Sequence, residues 1–282
     1  MSSKKQIMNL LLKNAAFAFS TMILFASCKK DDATTSAPAP TVVKEYSIKM
    51  SAANEVAANT RPETSTASLK IFSDNSVTLS STFSNFTTGD AITMAHIHTG
   101  DAVSNGPVVL PFTIVVTGAN VEAKATDVRQ SLIDSLKNNV TDFYANIHSA
   151  QLPGGLARGQ IGRNILQAYT VSLSGANEPV PVTTTATGVA IVRINEDNKM
   201  FSKITISNLE TADTLRFAHI HIGAAGANGP VITNLADTRN DFSITQTRTI
   251  SAGLADSIAT RMVYVNVHSN LSPSGKLRGQ IR

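Results

Sequence analysis

The sequence predicts an all-β protein of two tandem Greek-key β-sandwich or β-barrel domains, each with one short helix. Three observations carry this. Short stretches alternate between apolar and polar residues and are bounded by turn signals. A set of motifs occurs twice, in the same order and at nearly constant spacing. One stretch per repeat has helical instead of strand periodicity.

The elements follow in chain order. Residues 1–27 read as a signal peptide: Lys4 and Lys5 form a basic start, and the apolar run 14–26 is shorter than the roughly 20 residues of a membrane span. The run closes on Leu24-Phe25-Ala26-Ser27-Cys28. This resembles a lipobox, in which the cysteine is lipidated and becomes the new N-terminus. Cys28 is the sole cysteine, so no disulfide within the chain staples the fold. Lys29-Lys30-Asp31-Asp32 resembles the charged stretch behind the lipid cysteine of some Gram-negative surface lipoproteins. Residues 28–43, with Pro38 and Pro40 among Ala, Ser and Thr, read as the lipidated cysteine and a tether without a core. The expected location is therefore outside the cytoplasm, held by an N-terminal lipid in the outer membrane or at the cell surface.

The first domain is expected over 44–162 and the second over 166–282. Ser51-Ala52-Ala53-Asn54-Glu55 returns as Ser174-Gly175-Ala176-Asn177-Glu178, Ala95-His96-Ile97-His98 as Ala218-His219-Ile220-His221, and Asn105-Gly106-Pro107 as Asn228-Gly229-Pro230, each 123 residues on. Tyr144-Ala145-Asn146-Ile147-His148-Ser149 and Arg158-Gly159-Gln160-Ile161 return 120 residues on, as Tyr264-Val265-Asn266-Val267-His268-Ser269 and Arg278-Gly279-Gln280-Ile281. The join at 163–166 is short enough to hold the domains close.

Strands are predicted over 46–50, 67–72 and 77–83, and in the second copy over 188–194 and 200–206, with turns at Asp74-Asn75 and 195–198. The helices are predicted from Val128, Leu132 and Leu136, and from Leu254, Ile258 and Met262, as core-facing stripes. Gly106 and Gly229 are expected to supply positive φ in turns closed by the following proline. Glu55 and Glu178 have two readings: an exposed carboxylate that touches a ligand, or, as is more common, one that closes a loop against Arg158 or Arg278.

Bulk composition excludes some functions. With 42% hydrophobic and 16% charged residues the chain has enough apolar material for packed cores. The formal charge of +4 includes Lys4, Lys5 and Lys13; without them about +1 remains. There is no basic stripe and no Trp to stack on bases, so nucleic acid is not an expected partner. No nucleophile elbow, phosphate-cradling glycine loop or paired carboxylate occurs in a repeated block, which points away from an enzyme.

All six histidines fall in the repeated blocks, three per copy. Side chains alternate along a strand, so His96 and His98 share a face with Met94, and Tyr144, Asn146 and His148 share another. His219 and His221, then Tyr264, Asn266 and His268, do the same in the second copy. Arg158 and Gln160, like Arg278 and Gln280, lie opposite the following Ile. If these strands pair, Asn146, Arg158, Gln160, Asn266, Arg278 and Gln280 join the histidines in one polar face per copy. Three chemistries remain open for that face. His96, His98 and His148, and likewise His219, His221 and His268, suit copper or zinc. The rings could instead form a hydrogen-bonded network with loop carbonyls. The face could also bind a protein or envelope ligand, as a non-enzymatic surface or structural module.

Together these blocks resemble the CHRD domain, first named from chordin and found in bacterial proteins. The resemblance spans nearly all of the chain after the tether and implies a β-sandwich-like, usually extracellular module without an established general activity in bacteria. Chordin binds growth factors of the bone morphogenetic class, a partner not expected of a bacterial lipoprotein. A second resemblance is to Cu,Zn superoxide dismutase, a Greek-key barrel with His-x-His on one strand and a further His on a late strand. It implies that His96, His98 and His148, and His219, His221 and His268, stand where three copper ligands stand. A bridging histidine, the zinc ligands and the disulfide are missing, so the implied chemistry stops at a three-histidine copper site.

Overall fold

Alternation turns into strand pairing in a computed structural model, which describes residues 38–56, 60–139 and 141–282. The signal-peptide and lipidation readings, Cys28 included, lie outside the described residues. In the first copy the strands are β1 (Val42–Ser51), β2 (Thr64–Phe72), β3 (Val77–Thr82), β4 (Ile92–Thr99), β5 (Val108–Pro111), β6 (Thr113–Thr117) and β7 (Asn120–Ala125). Helix α1 (Gln130–Asn138), β8 (Phe143–Ser149) and β9 (Ala157–Gln160) complete it. They form one sheet in the order β5-β4-β8-β9-β1-β2-β3-β7-β6. The edge strands β5 and β6 are separated in the chain by Phe112 alone, so the sheet's two edges meet and it nearly closes into a barrel.

The second copy repeats the plan with β10 (Ile165–Ser174), β11 (Thr187–Asn195), β12 (Lys199–Ser207), β13 (Leu215–Ile222), β14 (Val231–Ala236), β15 (Gln246–Thr249), α2 (Ala252–Thr260), β16 (Val263–Ser269) and β17 (Leu277–Gln280). Its sheet runs β14-β13-β16-β17-β10-β11-β12-β15. The hairpin β6–β7 of the first copy has one counterpart strand here, β15, which pairs with β12 as β7 pairs with β3. The turns between the second and third strands hold Asn75 and Asn198 at φ 61° and 56°, a conformation Asn tolerates better than most residues.

The inward-facing residues make one core per sheet. Ile48, Met50, Leu69, Ile71, Leu79, Ala95, Ile97, Phe143, Ala145 and Ile147 fill the first. Leu173, Ala190, Val192, Ile194, Ala218, Ile220, Val263, Val265 and Val267 fill the second. Helix α1 buries Leu132, Ile133 and Leu136, each side chain contributing about 1.5–3 kcal/mol of apolar burial. Val128 is buried ahead of the helix instead of within it. The expected α2 stripe is shorter: Ile258 is buried, but the helix ends at Thr260, Arg261 is extended, and Met262 points to solvent at 58% exposure. Among the described residues no helix is long and apolar enough to cross a membrane.

The two copies share one compact unit, Pro40–Arg282. A third apolar cluster joins them: Ala102 and Val103, from the loop after β4, pack with Ile165, Ile191 and Phe201 of the second copy. Arg193 on β11 is fully buried there and donates to the Glu55 carbonyl of the first copy at 2.8 Å, and to the Tyr169 and Val192 carbonyls of its own. The Lys49 amide donates to Asn164 Oδ1 at 2.8 Å across the same joint.

Candidate metal centres

Strand pairing decides which polar side chains meet. In the first copy His96, Asn146 and Arg158 form one row across β4, β8 and β9, and His98, Tyr144 and Gln160 form the next. Met94 lies opposite His148. The second copy gives the rows His219, Asn266, Arg278 and His221, Tyr264, Gln280. The other face of these strands is core, so each row is anchored from behind by close packing.

The candidate ligand nitrogens of His96, His98 and His148 lie within 4.8 Å of one another, and so do those of His219, His221 and His268. Ring centroids are 5.0 Å apart for His96–His148 and 5.6 Å for His96–His98, against 5.2 and 5.7 Å in the second copy. Loop carbonyls set the orientation. Nδ1 of His98 lies 2.9 Å from the Gly106 carbonyl, and Nδ1 of His148 lies 2.9 Å from that of Pro153. His221 and His268 meet Gly229 and Pro273 in the same way, at 2.9 and 3.0 Å. A carbonyl only accepts, so these Nδ1 atoms carry the proton and each Nε2 carries a lone pair.

Those lone pairs point into the cluster. Nε2 of His98, His221 and His268 and Nδ1 of His219 are buried without a hydrogen-bond partner among the described residues. In the first copy His96 Nδ1 donates to His148 Nε2 at 3.2 Å. Moving that proton to Nε2 of His96, a tautomer change within a neutral ring, frees both lone pairs. The hydrogen-bonded network expected as one reading is therefore present: it uses the outward nitrogen of two rings in each set and, in the first copy, one further contact inside the cluster between His96 and His148.

Burial favours the neutral form of five of the six rings. It lowers the pKa of His96, His98, His148 and His268 below the usual value, and brings His219 down to about 4, with neighbouring histidines adding to the effect at all of these but His98, where Arg158 does. Neutral imidazole is the form that binds metal.

The remaining face residues lock the loops that orient the rings. Tyr144 stacks on His98 at 4.8 Å with an interplanar angle of 11°, and the Arg158 guanidinium lies 3.4 Å from the Tyr144 ring centroid. Tyr264, His221 and Arg278 repeat this at 4.9 and 3.4 Å. Arg158 donates to the carbonyls of Asp101 and Ser104, and Arg278 to those of Ala224 and Ala227. Gln160 and Gln280 donate to Gly100 and Gly223. Tyr144 and Tyr264 hydroxyls accept from the Gly106 and Gly229 amides.

Several expectations are corrected here. Asn146, Arg158, Gln160, Asn266 and Arg278 are buried and Gln280 partly so, because the loops after β4 and β13 lie over them; the face is lined with loop anchors and is not an open surface. Gly106 and Gly229 do not have positive φ. They are glycine because a Cβ there would stand 1.8 and 1.6 Å from the Thr99 and Ile222 carbonyl oxygens. Glu55 and Glu178 are buried, not exposed. Asn266 donates to Glu178 at 2.7 Å, while Asn54 and Asn177 donate to the carbonyls of Arg158 and Arg278. Burial raises Glu55 to about 7 against the opposing pull of Arg158 and Asn146. Gly155 and Gly275, at φ 142° and 150°, are the residues whose Cβ would strike these carboxylates at 2.7 Å.

Sequence reasoning missed two contributors. The Pro153 and Pro273 carbonyls are backbone groups and leave no residue signal. Phe217 packs on the second cluster, 4.9 Å from His219 and 4.7 Å from His268 by ring centroid. Its mark in the sequence is a mismatch immediately ahead of a repeated block, where the first copy has Met94.

The CHRD domain family model matches residues 46–161 and again 169–281. No curated protein and no solved structure matches the chain significantly.

Proposed function

The chain belongs to the CHRD domain family as a tandem pair, and from that premise we propose that it is a lipid-anchored, non-enzymatic metal-binding module with one three-histidine copper or zinc centre per domain. One observation carries the reading. In the second copy three buried imidazole nitrogens without a hydrogen-bond partner among the described residues converge, and burial favours the neutral form of His219 and His268. Leaving such atoms unbonded costs about 1–3 kcal/mol each, a cost that a bound cation removes. The carbonyls of Gly229 and Pro273 supply the outer hydrogen bonds that fix ligating rings.

Copper and zinc both accept neutral imidazole nitrogen. Residues 40–282, purified, loaded with each metal and desalted, are expected to retain near two equivalents, one for each histidine set. A His96→Ala/His219→Ala double variant that remains folded should retain far less. Folded parent protein that retains no metal would overturn the reading.

Export and anchoring are supported by the apolar run 14–26 and the lipobox-like Leu24–Cys28. The lipid would hold the tandem pair at the outer membrane or cell surface. The full chain should then fractionate with membranes, and Cys28→Ala should abolish incorporation of labelled fatty acid. Unchanged labelling of that variant would remove the anchor from the proposal.

A further inference from the structure

The two centres share their histidines, tyrosines and arginines; they differ across the first histidine, where Pro111 pairs with His96 but Asn234 with His219, and at the wall two residues before it. In β4 the residue two before His96 is Met94; in β13 the residue two before His219 is Phe217. Met94 stands directly opposite His148 in the strand register and on the same face as His96. Residues paired in this way have Cβ atoms roughly 4.5–5.5 Å apart, within reach of a long side chain.

Met94 is 42% exposed although it borders a buried polar cluster. Apolar packing is thus not what this position supplies, since full burial of a Met side chain would add about 1.5–3 kcal/mol. Phe217 does pack: its ring lies against both His219 and His268 and carries the Arg216 guanidinium 5.1 Å from its centroid. Where the first centre has a flexible thioether beside a neutral Thr93, the second has a rigid ring beside a cation.

Three histidine nitrogens leave a coordination position open on a four-coordinate metal. Thioether sulfur is a soft donor that favours cuprous copper over zinc, and methionine's three rotatable bonds let it swing onto a ligand position. We infer that Met94 is the fourth donor of the first centre and makes that copy selective for cuprous copper, whereas Phe217 closes the same position in the second copy and leaves a three-histidine site. The inference rests on the histidines being metal ligands.

The test uses residues 40–282, which contain no cysteine to compete for copper. A His219→Ala/His221→Ala background isolates the first centre, and a His96→Ala/His98→Ala background isolates the second. Cuprous copper, kept reduced and anaerobic, is titrated against the chromophoric chelator bicinchoninate, with zinc measured in parallel. Met94→Leu conserves volume, so the fold is retained. It is expected to weaken cuprous binding by about tenfold or more at the first centre, with zinc affinity unchanged, on the scale of losses at metal sites. Phe217→Met should strengthen cuprous binding at the second centre by a similar factor. Copper X-ray absorption should show a sulfur neighbour in the parent first centre that Met94→Leu removes. Equal cuprous affinities without a sulfur neighbour, in protein that still binds copper through His96, would overturn the role of Met94 and leave the centres standing. Absence of both metals from both copies would overturn the centres themselves.

Discussion

At the scale of single residues, each histidine combines two environments. Burial favours the neutral ring in five of the six, and in four of the six one nitrogen is tied to a backbone carbonyl, so the other is presented with a fixed lone pair. This combination has a consequence for pH. In the metal-free protein His219 has a folded pKa of about 4, below the ordinary imidazole value near 6.5 that the unfolded chain adopts. Between these values the unfolded state binds more protons, so stability falls as pH drops from about 6.5 toward 4. The metal-free parent should therefore lose more thermal stability over that range than His219→Ala does. The buried carboxylates Asp90 and Asp213, held at about 2 by hydrogen bonds that outweigh their burial, lose their contribution only at lower pH. Glu55, raised to about 7 by burial, acts in the opposite direction, and comparison with the variant cancels it. Equal acid sensitivity of the two proteins would mean that His219 is not neutral-buried in solution.

At the scale of elements, the pairs β8–β9 and β16–β17 act as clamps on the loops ahead of them. Arg158 and Arg278 sit where β9 and β17 touch β1 and β10 through single residue pairs, Ser51 with Arg158 and Ser174 with Arg278. At these thin seams the guanidinium reaches across a tyrosine ring to two loop carbonyls. The loop it holds carries the carbonyl that orients His221. Lysine cannot lie flat on Tyr264 and serve both carbonyls from a planar fork. Arg278→Lys is expected to cost about 1–3 kcal/mol in urea unfolding and to weaken metal at the second centre by roughly ten- to a hundredfold, with the first centre unchanged. Unaltered affinity at the second centre would show that the loop needs no such clamp.

At the scale of the molecule, the copies are not independent beads. The loop that orients His98 also carries Ala102 and Val103 into the cluster with Ile191 and Phe201, while the corresponding loop of the second copy, around Gly223–Gly229, is largely exposed. The second domain thus buttresses the first centre, and among the described residues it receives no such support in return. Arg193 is the polar part of this joint, within Coulombic reach of both Glu55 and Arg158. Arg193→Met would leave the carbonyls of Glu55 and Tyr169 short of a donor, at a cost of about 1–3 kcal/mol. Its signature is transmission: hydrogen exchange should quicken at Glu55, Ala102 and Val103 in the other copy. Exchange changes confined to β10–β12 would show that the joint carries no load between domains.

The sequence by itself determined the all-β duplicated architecture, one helix per copy, and the shared face of Met94, His96 and His98 and of Tyr144, Asn146 and His148. Those properties follow from period-two alternation and from repetition, which are local or directly countable along the chain. Only the tertiary structure decided that His148 converges on a pair of histidines some fifty residues earlier, that loops cover the polar face, and that Glu55 and Arg193 are buried at the domain joint. It also placed Met262 outside the core and gave Gly106 a steric instead of a conformational reason. Each of these depends on which distant strands pair and how the connecting loops pack back over them, contacts whose energy is spread over residues far apart in the chain and leaves no local pattern to read.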